Sequence, residues 1–169
     1  DQYNQLGINI SNNIFTDKSI ENFLYIELIE KIFPKAKFIY CKRNNIANLI
    51  GILKVFLPNL YWTHSVENII TLIELYNDKL NEIILEKKIN LKVINLENFT
   101  QNPLESSKDL FNFLQIKNSN EITHNPMNKE KIIKTVSNLQ VRKKIQKHDL
   151  NYLENYLPLL NKYPIDKLV

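Results

Sequence analysis

The sequence predicts an α/β fold with a mostly parallel sheet flanked by helices. Two short apolar runs, residues 37–41 and 91–96, have the length and the β-branched and aromatic content of buried strands. Segments whose apolar residues recur at the helical period surround them, in the order helix, strand, helix, helix, strand, helix. Strands separated by helices pair most readily in parallel.

The elements follow in order. Residues 1–14, with Asn4, Gly7, Asn9, Asn12 and Asn13, read as loop. Ser19 offers an N-cap, and Ile20, Phe23, Leu24, Leu28 and Ile32 then line one helical face. Pro34 stops that helix, because it cannot donate the next backbone hydrogen bond. The first strand follows, ends at Lys42 and Arg43, and gives way to a helix from about Ile46. Pro58 and the pair Tyr61-Trp62 mark a loop, in which Trp62 reads as a half-buried anchor. From Ser65 to Lys87 runs the clearest helix, its core stripe being Val66, Ile69, Ile70, Ile73, Tyr76, Leu80, Ile83 and Ile84. It is expected to cover the sheet. The second strand ends at Glu97. Asn102, Pro103 and Glu105 form a strong helix start, with Leu104, Leu110, Phe111 and Leu114 as its apolar face. Residues 117–136 are irregular, and a last helical stretch runs from Asp149 toward Tyr163, interrupted near Pro158.

With 169 residues the chain suits one domain, 1–169. Hydrophobic residues at 44% and charged ones at 24% are ordinary for a globular protein, which excludes a disordered or fibrous class. Two glycines and six prolines are too few for a linker. The net charge of +4 leans weakly toward anionic partners, with basic residues gathered between positions 129 and 147. No aromatic residues interleave with them, so a nucleic-acid-binding surface is not expected. Cys41 is alone, which rules out an internal disulfide, and no paired Cys or His suggests a metal. His64, His124 and His148 are scattered and read as surface residues. Neither a membrane span nor a signal peptide is visible, so a cytoplasmic location is the expectation.

In open α/β sheets, ligands gather at the carboxyl ends of strands. Arg43 and Glu97 stand at those ends. A planar guanidinium there suits a phosphate, and Glu97 reads as an orienting hydrogen-bond acceptor.

Several segments, collinear along nearly the whole chain, resemble the sulfotransferase superfamily, especially its protein-tyrosine and bacterial tetratricopeptide-linked branches. Phe15-Thr16-Asp17-Lys18 with Asn22-Phe23 is similar to that family's "TDKxPxN" segment. Pro34-Lys35-Ala36-Lys37-Phe38-Ile39 resembles "PxAKII", and Arg43-Asn44-Asn45 the "RxP" start of the 3′-phosphate site. Leu96-Glu97-Asn98-Phe99 with Asn102-Pro103 stands where the family has "YEDL…xP". The stretch from Thr135 to Arg142 is similar to its late "TxSxxQVR" loop.

The resemblance implies a P-loop-kinase-like fold and sulfuryl transfer from 3′-phosphoadenosine 5′-phosphosulfate to a hydroxyl of a protein tyrosine, a glycan or a small molecule, without a metal. It gives Lys18 and Ser137 the role of transition-state stabilisers. Arg43 and position 51 hold the 3′-phosphate, and Gln140, Val141, Arg142 and Lys143 fold over the nucleotide. Lys18, Arg43 and the 137–143 loop are then expected to converge on one cleft at the carboxyl edge of the sheet.

The chain also departs from the family. Residues 1–14 hold no loop rich in Gly, Ser and Thr for the 5′-phosphosulfate, and no catalytic base after it. The expectation is the C-terminal part of such a domain, with that strand, loop and helix preceding it, and tetratricopeptide repeats before them as a further option. Nucleotide binding by this chain alone is expected to be weak. The family's phosphate-binding Ser falls at Gly51, its Pro and Asp at Asn45 and Ala47, and its Tyr at Leu96. These losses keep open an alternative reading, a non-catalytic sulfotransferase-like binding or scaffold module.

Overall fold

In the computed structural model, which describes residues 14, 16–55, 57–86, 88–116 and 145–169, β1 (Phe38–Lys42) and β2 (Leu91–Asn95) pair in parallel. Phe38 stands opposite Leu91 and Lys42 opposite Asn95, so the two strands end at the same level. The α/β class and the parallel pairing expected from the sequence are therefore present. Both strands are only half-buried, with Ile39 and Val93 among the exposed apolar side chains. An apolar run five residues long does not by itself distinguish a covered strand from a half-covered one.

The chain divides into two compact units, residues 1–36 and 37–169. In the first, a 3₁₀ helix (Glu21–Tyr25) leads into α1 (Ile26–Ile32). Ser19 does not cap backbone there; its hydroxyl donates to the Glu21 carboxylate. The expected apolar face is also corrected. Ile20, Leu24, Leu28 and Ile32 are exposed, and Ile26 is the buried residue. The 3₁₀ turn advances three residues per turn, so a face counted at 3.6 is rotated by the time α1 begins.

The second unit holds the sheet and the hydrophobic core. α2 (Asn45–Leu53) starts where Asn44 accepts the Ala47 N–H at 2.9 Å, a side-chain N-cap. α3 (Val66–Glu86) packs on α2, on the 3₁₀ turn Tyr61–His64 and on the terminal 3₁₀ turn Ile165–Leu168. The core cluster comprises Leu49 and Ile50 from α2, Ile69, Ile70 and Ile73 from α3, and Leu160 and Leu168 from the C-terminal segment. Trp62 is half-buried against it, as expected of an anchor. The stripe of α3 is realised except at Ile84, which is exposed. Tyr76 of α3 is near enough to Tyr40 of β1 to act on its phenol electrostatically.

α4 (Leu96–Gln101) follows β2 directly and is capped by Asn95, which accepts the Asn98 N–H at 2.9 Å. α5 (Pro103–Leu114) begins with Pro103 in its first turn, as expected, but Asn102 makes no side-chain cap. Asn102 still closes α4, its N–H donating to the Asn98 carbonyl, and its own carbonyl accepts from Ser106. With its backbone serving both helices, the side chain is not aligned on the new one. Leu104 is exposed and Ser107 is the buried residue of α5. After a 3₁₀ helix (Asn151–Asn155), Pro158 starts rather than interrupts the short α6 (Leu157–Leu160). Among the described residues no helix is long and apolar enough to cross a membrane.

Burial pushes the Cys41 thiol up from its ordinary 9.0, and burial with the neighbouring Tyr76 pushes the Tyr40 phenol up from 10.0. Both groups hold their protons longer folded than unfolded. Their contribution to stability is whole below those ordinary values and is lost as pH rises through the raised ones. Urea unfolding from neutral pH to pH about 11 should show stability falling once pH passes about 9. A Cys41→Ala, Tyr40→Phe double variant should flatten part of that fall; an unchanged alkaline slope would rule this origin out.

Candidate functional site

The aligned carboxyl ends of β1 and β2 bring Arg43 and Glu97 to one edge of the sheet. Glu97 Oε1 accepts the backbone N–H of Asn44 at 2.9 Å, tying the turn after β1 to the start of α4. Glu97 therefore acts as the orienting acceptor expected of it. Asn44 in turn caps α2, so one residue is held from both sides, and the residue before it, Arg43, is placed by that constraint.

Arg43 is half-buried. Its Nη2 donates to the hydroxyl of Tyr152 at 3.3 Å. A Cβ built on Gly51 would lie 3.0 Å from Arg43 Nη1, so the guanidinium rests directly on the glycine of α2. Positions 43 and 51, paired by the sequence motif, are thus neighbours in space. No ion pair joins Arg43 to a carboxylate among the described residues. A half-buried cation without a counter-charge is an energetic liability that an anion relieves.

The C-terminal segment completes this corner. The hydroxyl of Thr100 donates to the Glu97 carbonyl at 3.1 Å and accepts the His148 N–H at 3.0 Å. The rings of His148 and Tyr152 lie 6.3 Å apart. Lys54, just past α2, sits 5.1 Å from the Tyr152 ring centroid and 4.6 Å from that of Tyr156. Arg43 Nε, Glu97 Oε2 and His148 Nε2 are buried with no hydrogen-bond partner among the described residues. His148 is thus half-buried against α4, a correction to its reading as a surface residue. Tyr152, Lys54 and Thr100 carried no sequence signal of a site. A Tyr in an amphipathic stretch reads as core, and only the return of the C-terminal segment brings it to the strand end.

Two departures from the motif have structural uses here. Asn45 donates to the Leu168 carbonyl at 3.0 Å and accepts from Asn77 at 3.4 Å, joining α2 to α3 and to the chain end. Ala47 has no exposed surface, so a carboxylate at that position would be buried.

Of the other predicted site residues, Lys18 is exposed in the first unit, and no carboxylate pairs with it among the described residues. Its neighbour Asp17 accepts instead from Asn22 at 2.7 Å. Ser137, Gln140, Val141, Arg142 and Lys143 lie outside the described residues.

The model of the Sulfotransferase family matches residues 3–120. No curated protein matches the chain. The matched segment is well over half of the chain and contains both strands, Arg43, Gly51 and Glu97. With the parallel sheet and an arginine resting on position 51 at its carboxyl edge, the chain belongs to the Sulfotransferase family.

Proposed function

We propose that this chain holds the 3′-phosphate of 3′-phosphoadenosine 5′-phosphosulfate at Arg43 and takes part in sulfuryl transfer to a hydroxyl acceptor. The observation that carries the reading is Arg43 itself: half-buried at a strand end, resting on Gly51 and joined to no carboxylate by an ion pair among the described residues. A phosphate monoester supplies the missing negative charge, and a guanidinium can meet two of its oxygens at once. The co-substrate would bring the sulfuryl group. In this reading Lys18 and Ser137 stabilise charge on the bridging and sulfuryl oxygens as the bond breaks, and Gln140, Val141, Arg142 and Lys143 cover the nucleotide. Lys18→Ala would then lower turnover more than nucleotide affinity.

The test is a titration with adenosine 3′,5′-bisphosphate and, in parallel, adenosine 5′-phosphate, read by a method tolerant of weak binding such as ligand-observed NMR. A hydrogen bond to a charged group contributes roughly 1.5–3 kcal/mol, so Arg43→Ala should weaken the bisphosphate by about tenfold to a hundredfold. Binding of the 5′-phosphate, which lacks the group Arg43 holds, should be unchanged. Equal affinities of wild type and Arg43→Ala for the bisphosphate would sink the proposal. Gly51, which offers no hydroxyl to a phosphate, favours a second reading: a non-catalytic sulfotransferase-like binding or scaffold module. Transfer of labelled sulfate to a hydroxyl acceptor separates the two.

A further inference from the structure

We infer that Tyr152 supplies the hydroxyl donor that Gly51 lacks, so that Arg43 and Tyr152 together form the seat for the nucleotide 3′-phosphate. The inference rests on the phosphate reading of Arg43 above and assigns a second ligand-contacting residue, outside the segment the family model matches.

A phenol has one O–H donor and two acceptor lone pairs. Arg43 Nη2 donates to the Tyr152 oxygen at 3.3 Å, which uses a lone pair and leaves the O–H available. That O–H has no acceptor among the described residues. Accepting from a cation polarises the hydroxyl and strengthens it as a donor. The phenol is held next to the guanidinium, where an anion bound by Arg43 would also lie. Its ring is fixed on three sides. Lys54 lies over it at 5.1 Å, Tyr156 meets it edge-on at 6.2 Å, and both tyrosines pack against the core cluster. A donor set in place before the ligand arrives loses little side-chain freedom on binding.

A serine at position 51 would project its Cβ to within 3.0 Å of Arg43 Nη1, the opposite nitrogen of the same guanidinium from the one Tyr152 engages. The hydroxyl has therefore changed sides of the arginine. It comes from the C-terminal segment instead of α2.

Tyr152→Phe removes the hydroxyl and keeps the ring with its Lys54 and Tyr156 contacts. Its thermal midpoint should stay within about 2 °C of wild type. Affinity for adenosine 3′,5′-bisphosphate should fall about tenfold, with adenosine 5′-phosphate unaffected. Gly51→Ser should restore affinity in the Tyr152→Phe background by more than it adds in wild type, because the two hydroxyls serve one phosphate. The clash at 3.0 Å involves only the end of a flexible side chain, which can yield. If Arg43→Ala weakens the bisphosphate but Tyr152→Phe does not, the phosphate reading stands and the Tyr152 role falls. A Gly51→Ser gain equal in both backgrounds would likewise overturn the shared-phosphate claim. If Arg43→Ala has no effect, the parent reading is what fails.

Discussion

Leu49→Ala should lower the thermal midpoint by about 5–15 °C. Leu49 has no exposed surface and sits in the cluster where α2, α3 and the C-terminal segment meet. Removing a buried leucine side chain forfeits its transfer free energy and leaves a cavity, together about 2–5 kcal/mol. The high end is expected here, because rigid neighbours line the gap. Ile69 and Ile70 are β-branched and come from a helix 21 residues long, which cannot shift locally to fill it. Leu85→Ala on the same helix is the control: that side chain is 80% exposed, and its loss should be within about 0.5 kcal/mol of neutral. Scanning calorimetry of the two variants decides the matter. Similar midpoints would show that the core does not lie where these three elements meet.

Glu97→Ala should destabilise the protein by about 1–3 kcal/mol, whereas Glu97→Gln should be close to neutral. The asymmetry comes from the two carboxylate oxygens. Oε1 accepts the Asn44 N–H, and truncation strands that donor in a half-buried turn. Oε2 is buried and has no partner among the described residues, so the negative charge is solvated poorly, and a neutral amide that keeps the first oxygen relieves it. Urea unfolding gives both values. The same pair probes the phosphate site, since Asn44 positions Arg43. Glu97→Ala should weaken adenosine 3′,5′-bisphosphate and Glu97→Gln should leave it intact or tighten it by removing a neighbouring negative charge. Equal stability losses from the two substitutions would mean that the charge of Glu97, rather than its bond to Asn44, holds the turn.

Much of the architecture was legible in the residues. Helical periodicity located α3 to within a residue at each end, because an apolar stripe of that length has few other uses. The strands were placed to within one residue, and their parallel pairing followed from the helices between them. The legible part of the site was equally local. Arg43 directly after one strand and Glu97 at the end of the other follow from order and spacing, whereas Gly51 enters only through the family resemblance.

Local pattern failed wherever the outcome depended on what lay opposite. The first helical face was rotated because a 3₁₀ turn replaced an α turn, a choice that spacing of apolar residues does not record. Asn102 looked like a cap and was not one, because the preceding helix already engaged its backbone. Tyr152 and His148 showed no site signal, since they reach the strand ends only when the C-terminal segment folds back onto α2 and α4. The sequence by itself determined the class of fold, the parallel strands and the arginine at their carboxyl edge, all properties of short-range periodicity and order. Tertiary structure alone decided which hydroxyl stands beside that arginine. A hydrogen bond spanning residues 43 and 152 depends on chain return, and chain return is set by burial of Leu160 and Leu168 in the core cluster against which Tyr152 packs.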